Sequence, residues 1–203
     1  PGAPPIASSS RPVDIHSYPA PDLLRLLASL LDQIARANDR LPSPATADSH
    51  PPALSLSVLS ARPIWHTLTT ASRVSLATPS SPLAFHARTV PTISLHAYLM
   101  RIHKYCPAPN DVFLSLLVYF DRMARLSAEA TGRGFVIDSY NVHRLVIAGV
   151  TVASKFFSDV FYTNSRYAKV GGLPQSELNQ LELQFLLLND FRLRISDAEM
   201  QHY

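Results

Sequence analysis

Hydrophobic positions recur every three or four residues over much of this chain, which is the period of an α-helix. The clearest early case is the stretch "DLLRLLASLLDQIARAND". Its apolar side chains fall on one side, and they are Leu23, Leu26, Leu27, Leu30, Leu31 and Ile34. Asp22 stands at the start of this run and is expected to cap its first turn. The pattern predicts an amphipathic helix over 22–41, after a disordered tail over 1–21.

The second half of the sequence reads as helices joined by short turns. One helix is predicted over "TISLHAYLMRIHKYC", and the next begins with Asn110 or Asp111 as its cap. Further helices are predicted over about 139–160, over "TNSRYAKVGG" and over "PQSELNQLELQFLLLNDF". No alternating apolar and polar run is long enough to predict a strand. We therefore expect an all-α domain over 92–203.

Residues 42–91 differ from both of these parts. They are rich in Pro, Ser, Thr and Ala and contain only short apolar islands such as "RPIWHTL". This composition predicts a long and partly disordered connection between the first helix and the domain.

The composition of the chain excludes several classes of protein: disulfide-rich, membrane-spanning and metal-dependent ones. A chain of 203 residues with 47% apolar residues can bury one good core. The single Cys excludes an intramolecular disulfide framework and favours a reducing compartment, the nucleus or the cytosol. The longest apolar run, over 145–153, is too short to span a bilayer, which needs about 20 residues. The eight His include no pair at metal-binding spacing on one helix with a Glu between, and the only Cys has no companion, so zinc hydrolysis and thiol catalysis both lack their parts. We therefore expect no metal, no cofactor and no catalytic group.

The helix predicted over 139–160 carries an unusual polar stripe. At 100° per residue the stripe contains Asn141, Arg144, Ala148, Thr151, Lys155, Ser158 and Asp159. The rest of this helix is almost wholly apolar, so the pattern predicts a central helix with one exposed edge. Two interpretations remain open: Lys155 merely solvates the exposed side of a core helix, or the edge is a docking surface whose small middle residues allow close approach.

Several motifs resemble the cyclin box of fungal P-type cyclins, the phosphate-system type. They are "YFDRM", "VASKFFSD", "YTNSRYAKVGG" and "ELNQLELQFLLLNDFRL". The similarity covers roughly 85–191, and the helix over 22–41 resembles the one that precedes the box in that family. The resemblance implies a five-helix cyclin box, and it favours the docking interpretation.

The same resemblance implies a regulatory subunit that binds and activates a cyclin-dependent kinase and helps to select its substrates, with no catalysis of its own. In cyclins generally, the Lys of the "ASK" motif and a Glu on the fifth helix contact the kinase, and they match Lys155 and Glu182 here. We add Thr151 and Phe156 to the expected kinase-binding residues. Asp159 is expected to supply an anion that gathers arginines near the activation loop of the kinase. Arg144 either contacts an anion or substrate, or pairs with the neighbours of Asp159.

Two further expectations concern other partners. Cyclin-dependent kinases prefer Ser or Thr followed by Pro, which makes three residues of the connection phosphorylation candidates: Ser43, Thr78 and Ser81. The alternative function is a cyclin-fold scaffold in transcription that contacts DNA or other proteins without a kinase. A net charge of +3, with Lys and Arg interspersed among acids, does not favour a nucleic-acid partner.

Overall fold

The computed structural model describes residues 14–40, 63–77 and 82–203. Within these ranges the chain is all-α and no strand occurs, which confirms the predicted fold class. No helix in the same ranges is both long enough and apolar enough to cross a membrane. The helices are α1 (Ala20–Asp39), α2 (Thr70–Ala77), α3 (Leu95–Tyr105), α4 (Asn110–Thr131), α5 (Val142–Phe157), α6 (Asn164–Gly171), α7 (Gln175–Leu188) and α8 (Asp197–Met200), with 3-10 helices at Pro63–His66 and Pro82–Phe85.

The predicted central helix is α5, and it packs between α4 and α7. Its apolar side chains are almost all buried. Gly149 makes this packing possible, because a Cβ added there would lie 2.5 Å from Leu116 Cδ2 of α4 and 3.1 Å from Phe185 Cζ of α7. Carbon atoms at optimal contact are about 3.5–4.0 Å apart, so the neighbouring helices approach more closely than any larger residue would allow.

The two predicted N-terminal caps are wrong. Pro19 holds the N-cap position of α1, and Asp22 instead pairs with Arg25 one turn along, at 3.1 Å. Pro109 precedes α4, and Asn110 uses its Nδ2 to donate to the carbonyl of Ile15 at 2.6 Å. A proline at a helix start fixes a suitable backbone angle, which leaves the nearby polar side chains available for other contacts.

The predicted end of α6 is confirmed. Thr163 caps its start by accepting a hydrogen bond from Arg166 N. Gly172 follows its last residue with φ at 73°, in the left-handed region that favours glycine. The glycines of "YAKVGG" therefore belong to a helix end.

Helix α2 lies inside the connection, where the sequence pattern predicted no helix. Asp190 Oδ1 accepts a hydrogen bond from Thr69 N at 2.8 Å, just before the helix begins. Ser75 Oγ donates to Gln184 Oε1 of α7 at 3.0 Å. The buried face of α2 consists of small polar residues, Ser72 and Ser75, so it shows no apolar stripe in the sequence.

Arg122 of the "YFDRM" motif joins α4 to the C-terminal segment. Its guanidinium donates to the carbonyls of Arg192 and Arg194 and pairs with Glu199 at 2.7 Å. At the other end of the domain, Asn38 Nδ2 donates to Ile137 O at 2.7 Å and so ties α1 to the segment before α5.

Candidate kinase-binding site

Lys155 and Glu182 form an ion pair where α5, α6 and α7 meet. Lys155 Nζ lies 2.6 Å from Glu182 Oε1, and the other oxygen of Glu182 accepts a hydrogen bond from Asn164 Nδ2 at 2.7 Å. The side chains of Lys155 and Glu182 are 33% and 16% exposed. The structure therefore brings together the two residues that the sequence placed on separate helices.

The pair retains hydrogen-bonding capacity toward a partner. An ammonium group has three donors and a carboxylate has about four acceptor sites. Lys155 uses a donor on Glu182, and Glu182 accepts from Lys155 and Asn164. Because each side chain fixes the position of the other, a partner that meets them finds both groups already oriented.

Exposed apolar side chains follow both members of the Lys155–Glu182 ion pair in the sequence. Phe156 follows Lys155 and is 48% exposed, and Leu183 follows Glu182 and is 51% exposed. The loop after α5 presents Val160 and Phe161, which are 66% and 55% exposed. We call these four residues and the ion pair the kinase-binding edge, after the role that the sequence predicts for Lys155 and Glu182. Sequence reasoning named Phe156 but missed the other three, although the apolar run "VFY" in a loop was a usable signal.

Asp159 lies directly before these apolar residues of the loop and is exposed. In the part of the chain that the structure covers, no Lys, Arg or His lies within ion-pair distance of its carboxylate. Its negative charge is therefore available to a partner. That availability is what the predicted role toward the arginines of a kinase requires.

The expectation of one continuous exposed edge along α5 is wrong. Ala148 and Thr151 have no exposed surface, because α4 and α7 cover the middle of this helix. Thr151 Oγ1 donates to Ile147 O, four residues earlier, at 2.7 Å. In this structure Thr151 offers no surface to a partner, so we leave it out of the kinase-binding edge.

Arg144 pairs with Glu177 at the start of α7, with 2.5 Å between Nη2 and Oε1. Of the two interpretations given above, pairing with the neighbours of Asp159 is not what the structure shows. A contact between Arg144 and an external anion or substrate stays a prediction, and its charge is already compensated by Glu177.

The remaining candidates add little to this site. The phosphorylation candidates Ser43, Thr78 and Ser81 lie outside the described residues. Cys106 is buried and free, and burial raises the pKa of its thiol. In ranges 14–40, 63–77 and 82–203, no three His, Cys, Asp or Glu side chains are placed to hold a metal ion.

Comparison with known proteins places the chain in a family. The sequence profile described as Cyclin matches residues 22–193. PHO85 cyclin-7 of Saccharomyces cerevisiae is 44% identical over 197 residues, which cover 94% of this chain and 61% of that protein. PHO85 cyclin-like protein psl1 of Schizosaccharomyces pombe is 44% identical over 191 residues, covering 94% of this chain and 68% of that protein. Cyclin-U4-1 of Arabidopsis thaliana is 34% identical over 181 residues, covering 89% and 72%.

The chain spans about three fifths of the length of PHO85 cyclin-7. The match nevertheless runs from α1 to the segment after α7, so it includes every helix of the five-helix box, α3 to α7. The chain therefore belongs to the cyclin family, and within that family to the fungal P-type cyclins that its motifs resemble.

Proposed function

We propose that this chain is a non-catalytic regulatory subunit that binds and activates a cyclin-dependent kinase. The observation that carries the proposal is the Lys155–Glu182 ion pair, oriented within the structure and accompanied by the exposed Phe156 and Leu183. The names of two relatives refer to PHO85, and we extend to this chain a kinase partner of that type.

The proposed mechanism is a positional one. A protein kinase is active only when a Glu on its mobile helix αC pairs with the Lys that holds the ATP phosphates. A partner that packs against αC and presses it inward stabilises this arrangement. In our proposal the apolar side chains of the edge exclude water from the contact, while Lys155 and Glu182 bind backbone groups next to αC.

We assign a separate role to Asp159. Many kinases need a phosphate on the activation loop to gather arginine side chains into the active arrangement. The exposed carboxylate of Asp159 has no cation beside it among the described residues, and it lies next to the proposed contact. We propose that Asp159 supplies this anion, so that the complex works without phosphate on that loop.

The same proposal extends to substrates and location. The complex selects protein substrates through surfaces of this chain, and Ser43, Thr78 and Ser81 are themselves substrates of the bound kinase. A segment tethered to its own kinase has an effective concentration that reaches about the millimolar range. The single Cys is consistent with the nucleus or the cytosol as the compartment.

The direct test is recovery of the kinase. The tagged chain is added to a fungal cell extract, the proteins that bind it are recovered, and the kinase among them is identified by mass spectrometry. The purified kinase is then assayed on a peptide with and without this chain. We expect recovery of a cyclin-dependent kinase and a large rise in turnover when the chain is added. Recovery without a rise in turnover would contradict activation, and failure to bind any such kinase would contradict the whole proposal.

A further inference from the structure

Two stretches of the sequence contain no acidic residue. Neither Asp nor Glu occurs over 49–110 or over 160–176. The first stretch contains α3, the second contains α6, and these two helices pack against each other. The fold therefore packs together two helices that carry no acidic residue.

Four exposed cations lie on this shared surface. Arg101 and Lys104 stand one turn apart on α3, and Arg166 and Lys169 stand one turn apart on α6. Arg101 Nη2 donates to Lys169 O at 3.3 Å, and Arg166 Nε donates to Tyr105 O at 2.8 Å. Both hydrogen bonds cross from one helix to the other, so the four positive charges share one surface. We call it the α3–α6 face.

The charges of the α3–α6 face are not neutralised within the described residues. None of its four cations has a carboxylate within ion-pair distance there, whereas Arg25, Arg36 and Arg125 each pair with an Asp on their own helix. The whole chain has a net charge of +3, so the remainder carries 3 − 4 = −1. The rest of the chain is therefore nearly balanced in charge, with 14 cations and 15 acids, whereas the four cations of this face have no acid beside them among the described residues.

Arg166 is held in a fixed orientation on this face. Its guanidinium donates to the carbonyl of Tyr105 and lies 4.0 Å from the ring centre of Tyr162. An oriented, planar guanidinium matches the oxygens of a phosphate group better than a mobile point charge does. Lys104 and Lys169, whose ammonium groups make no hydrogen bond between the helices, add mobile positive charge beside it.

We propose that the α3–α6 face binds a phosphorylated segment of a partner protein. A phosphorylated side chain carries about −1.5 to −2 charges at neutral pH. Two such groups therefore match the four positive charges of the face. Duplex DNA fits less well, because proteins that bind it commonly neutralise about 6–10 phosphates over a longer surface.

The face is distinct from the kinase-binding edge but adjacent to it. Asn164, at the start of α6, donates to Glu182, and Arg166 follows two residues later. None of the four cations belongs to the edge. A phosphorylated protein on the α3–α6 face would thus lie beside a bound kinase without covering Lys155, and binding at the two surfaces can be tested separately.

The test uses a short fluorescent peptide of Gly, Ala and Ser that contains two phosphoserines, with binding to the full chain followed by fluorescence anisotropy. The test variant is Lys104→Glu/Lys169→Glu, which leaves the hydrogen bonds of Arg101 and Arg166 between the helices in place. The control is Arg133→Glu/Arg194→Glu, which changes two exposed arginines elsewhere that have no ion-pair partner among the described residues. Both variants lower the net charge from +3 to 3 − 4 = −1.

We expect the test variant to lose about tenfold or more in affinity for the doubly phosphorylated peptide, and the control to lose much less, because charges at the contact count for more than distant ones. Circular dichroism verifies that both variants keep their helices. Equal losses in the two variants would overturn the proposal, and so would equal binding of the unphosphorylated peptide. Tighter binding of a short DNA duplex, with displacement of the peptide, would assign the face to nucleic acid instead.

Discussion

The contact of Gly149 with its neighbours predicts the cost of adding one methyl group at the centre of the fold. In Gly149→Ala the new Cβ would lie 2.5 Å from Leu116 Cδ2 and 3.1 Å from Phe185 Cζ. Both neighbouring side chains are fully buried, so neither can swing into solvent. Overpacking of a core costs about 1–3 kcal/mol, and a contact as short as 2.5 Å places this site in the upper half of that range, at about 2–3 kcal/mol. Ala recovers about 1 kcal/mol over Gly in a helix. We expect a net loss of about 1–2 kcal/mol in the free energy of unfolding.

Urea unfolding followed by circular dichroism measures this loss, and the melting temperature should fall by about 2–8 °C. The matched control is Gly134→Ala, where no atom lies within 4 Å of the added Cβ, and we expect it to be neutral or slightly stabilising. Leu116→Ala should partly relieve the clash, so the loss in the double variant should be smaller than the sum of the two single losses. A Gly149→Ala protein as stable as the Gly134→Ala protein would refute the close packing of α5 between α4 and α7.

Three further predictions follow from other parts of the molecule. His143 Nε2 contacts Ile93 O at 2.9 Å, its buried Nδ1 has no hydrogen-bond partner among the residues that the structure describes, and burial lowers the pKa of this histidine. The unfolded chain therefore takes up a proton at this histidine at a higher pH than the folded chain does. The free energy of unfolding should fall as the pH drops below 6.5, the ordinary pKa of histidine. Urea unfolding between neutral and mildly acidic pH measures this dependence, and His143→Gln should make it weaker. Asp159→Ala should lower the turnover of the kinase complex more than its affinity, whereas equal turnover in both proteins would exclude the anion role. Mass spectrometry after incubation of the complex with ATP should find phosphate on Ser43, Thr78 and Ser81 of the connection. If these residues stay unmodified while an added substrate is phosphorylated, the connection is only a spacer.

Much of the fold follows from helical periodicity, and the exceptions have identifiable causes. The apolar pattern of "RLVIAGVTVA" predicts a buried helix, and α5 is that helix. A helical wheel gives the direction of each side chain but not the identity of its neighbours. It therefore placed Thr151 on an exposed edge, although α4 and α7 bury it. Helix α2 was missed because Ser72 and Ser75 are the residues that it buries, and serines are not recognised as an apolar face.

The candidate site was only partly accessible from the sequence. The role of Lys155 and Glu182 came from the resemblance to cyclins, since 27 positions separate them and no periodicity links their helices. Leu183 looks like an ordinary core residue in the sequence, and only the folded structure shows that it is about half exposed. The α3–α6 face required the structure for the same reason, because Arg101 and Lys169 are distant in the sequence and meet only through helix packing.

The measurement that tests the central claim most directly is the affinity of the recovered kinase for Lys155→Glu, determined by titration calorimetry. The matched control is Arg133→Glu. Arg133 is exposed and precedes the start of α5, whereas Lys155 lies in the last turn of that helix, at its other end. Both substitutions change the net charge equally. Because a reversed charge at a desolvated contact also meets Glu182, we predict a loss of about tenfold or more in kinase affinity for Lys155→Glu, with helix content retained, and little change for Arg133→Glu. Equal kinase affinity in wild type and Lys155→Glu would contradict the assignment of this edge as the kinase-binding surface.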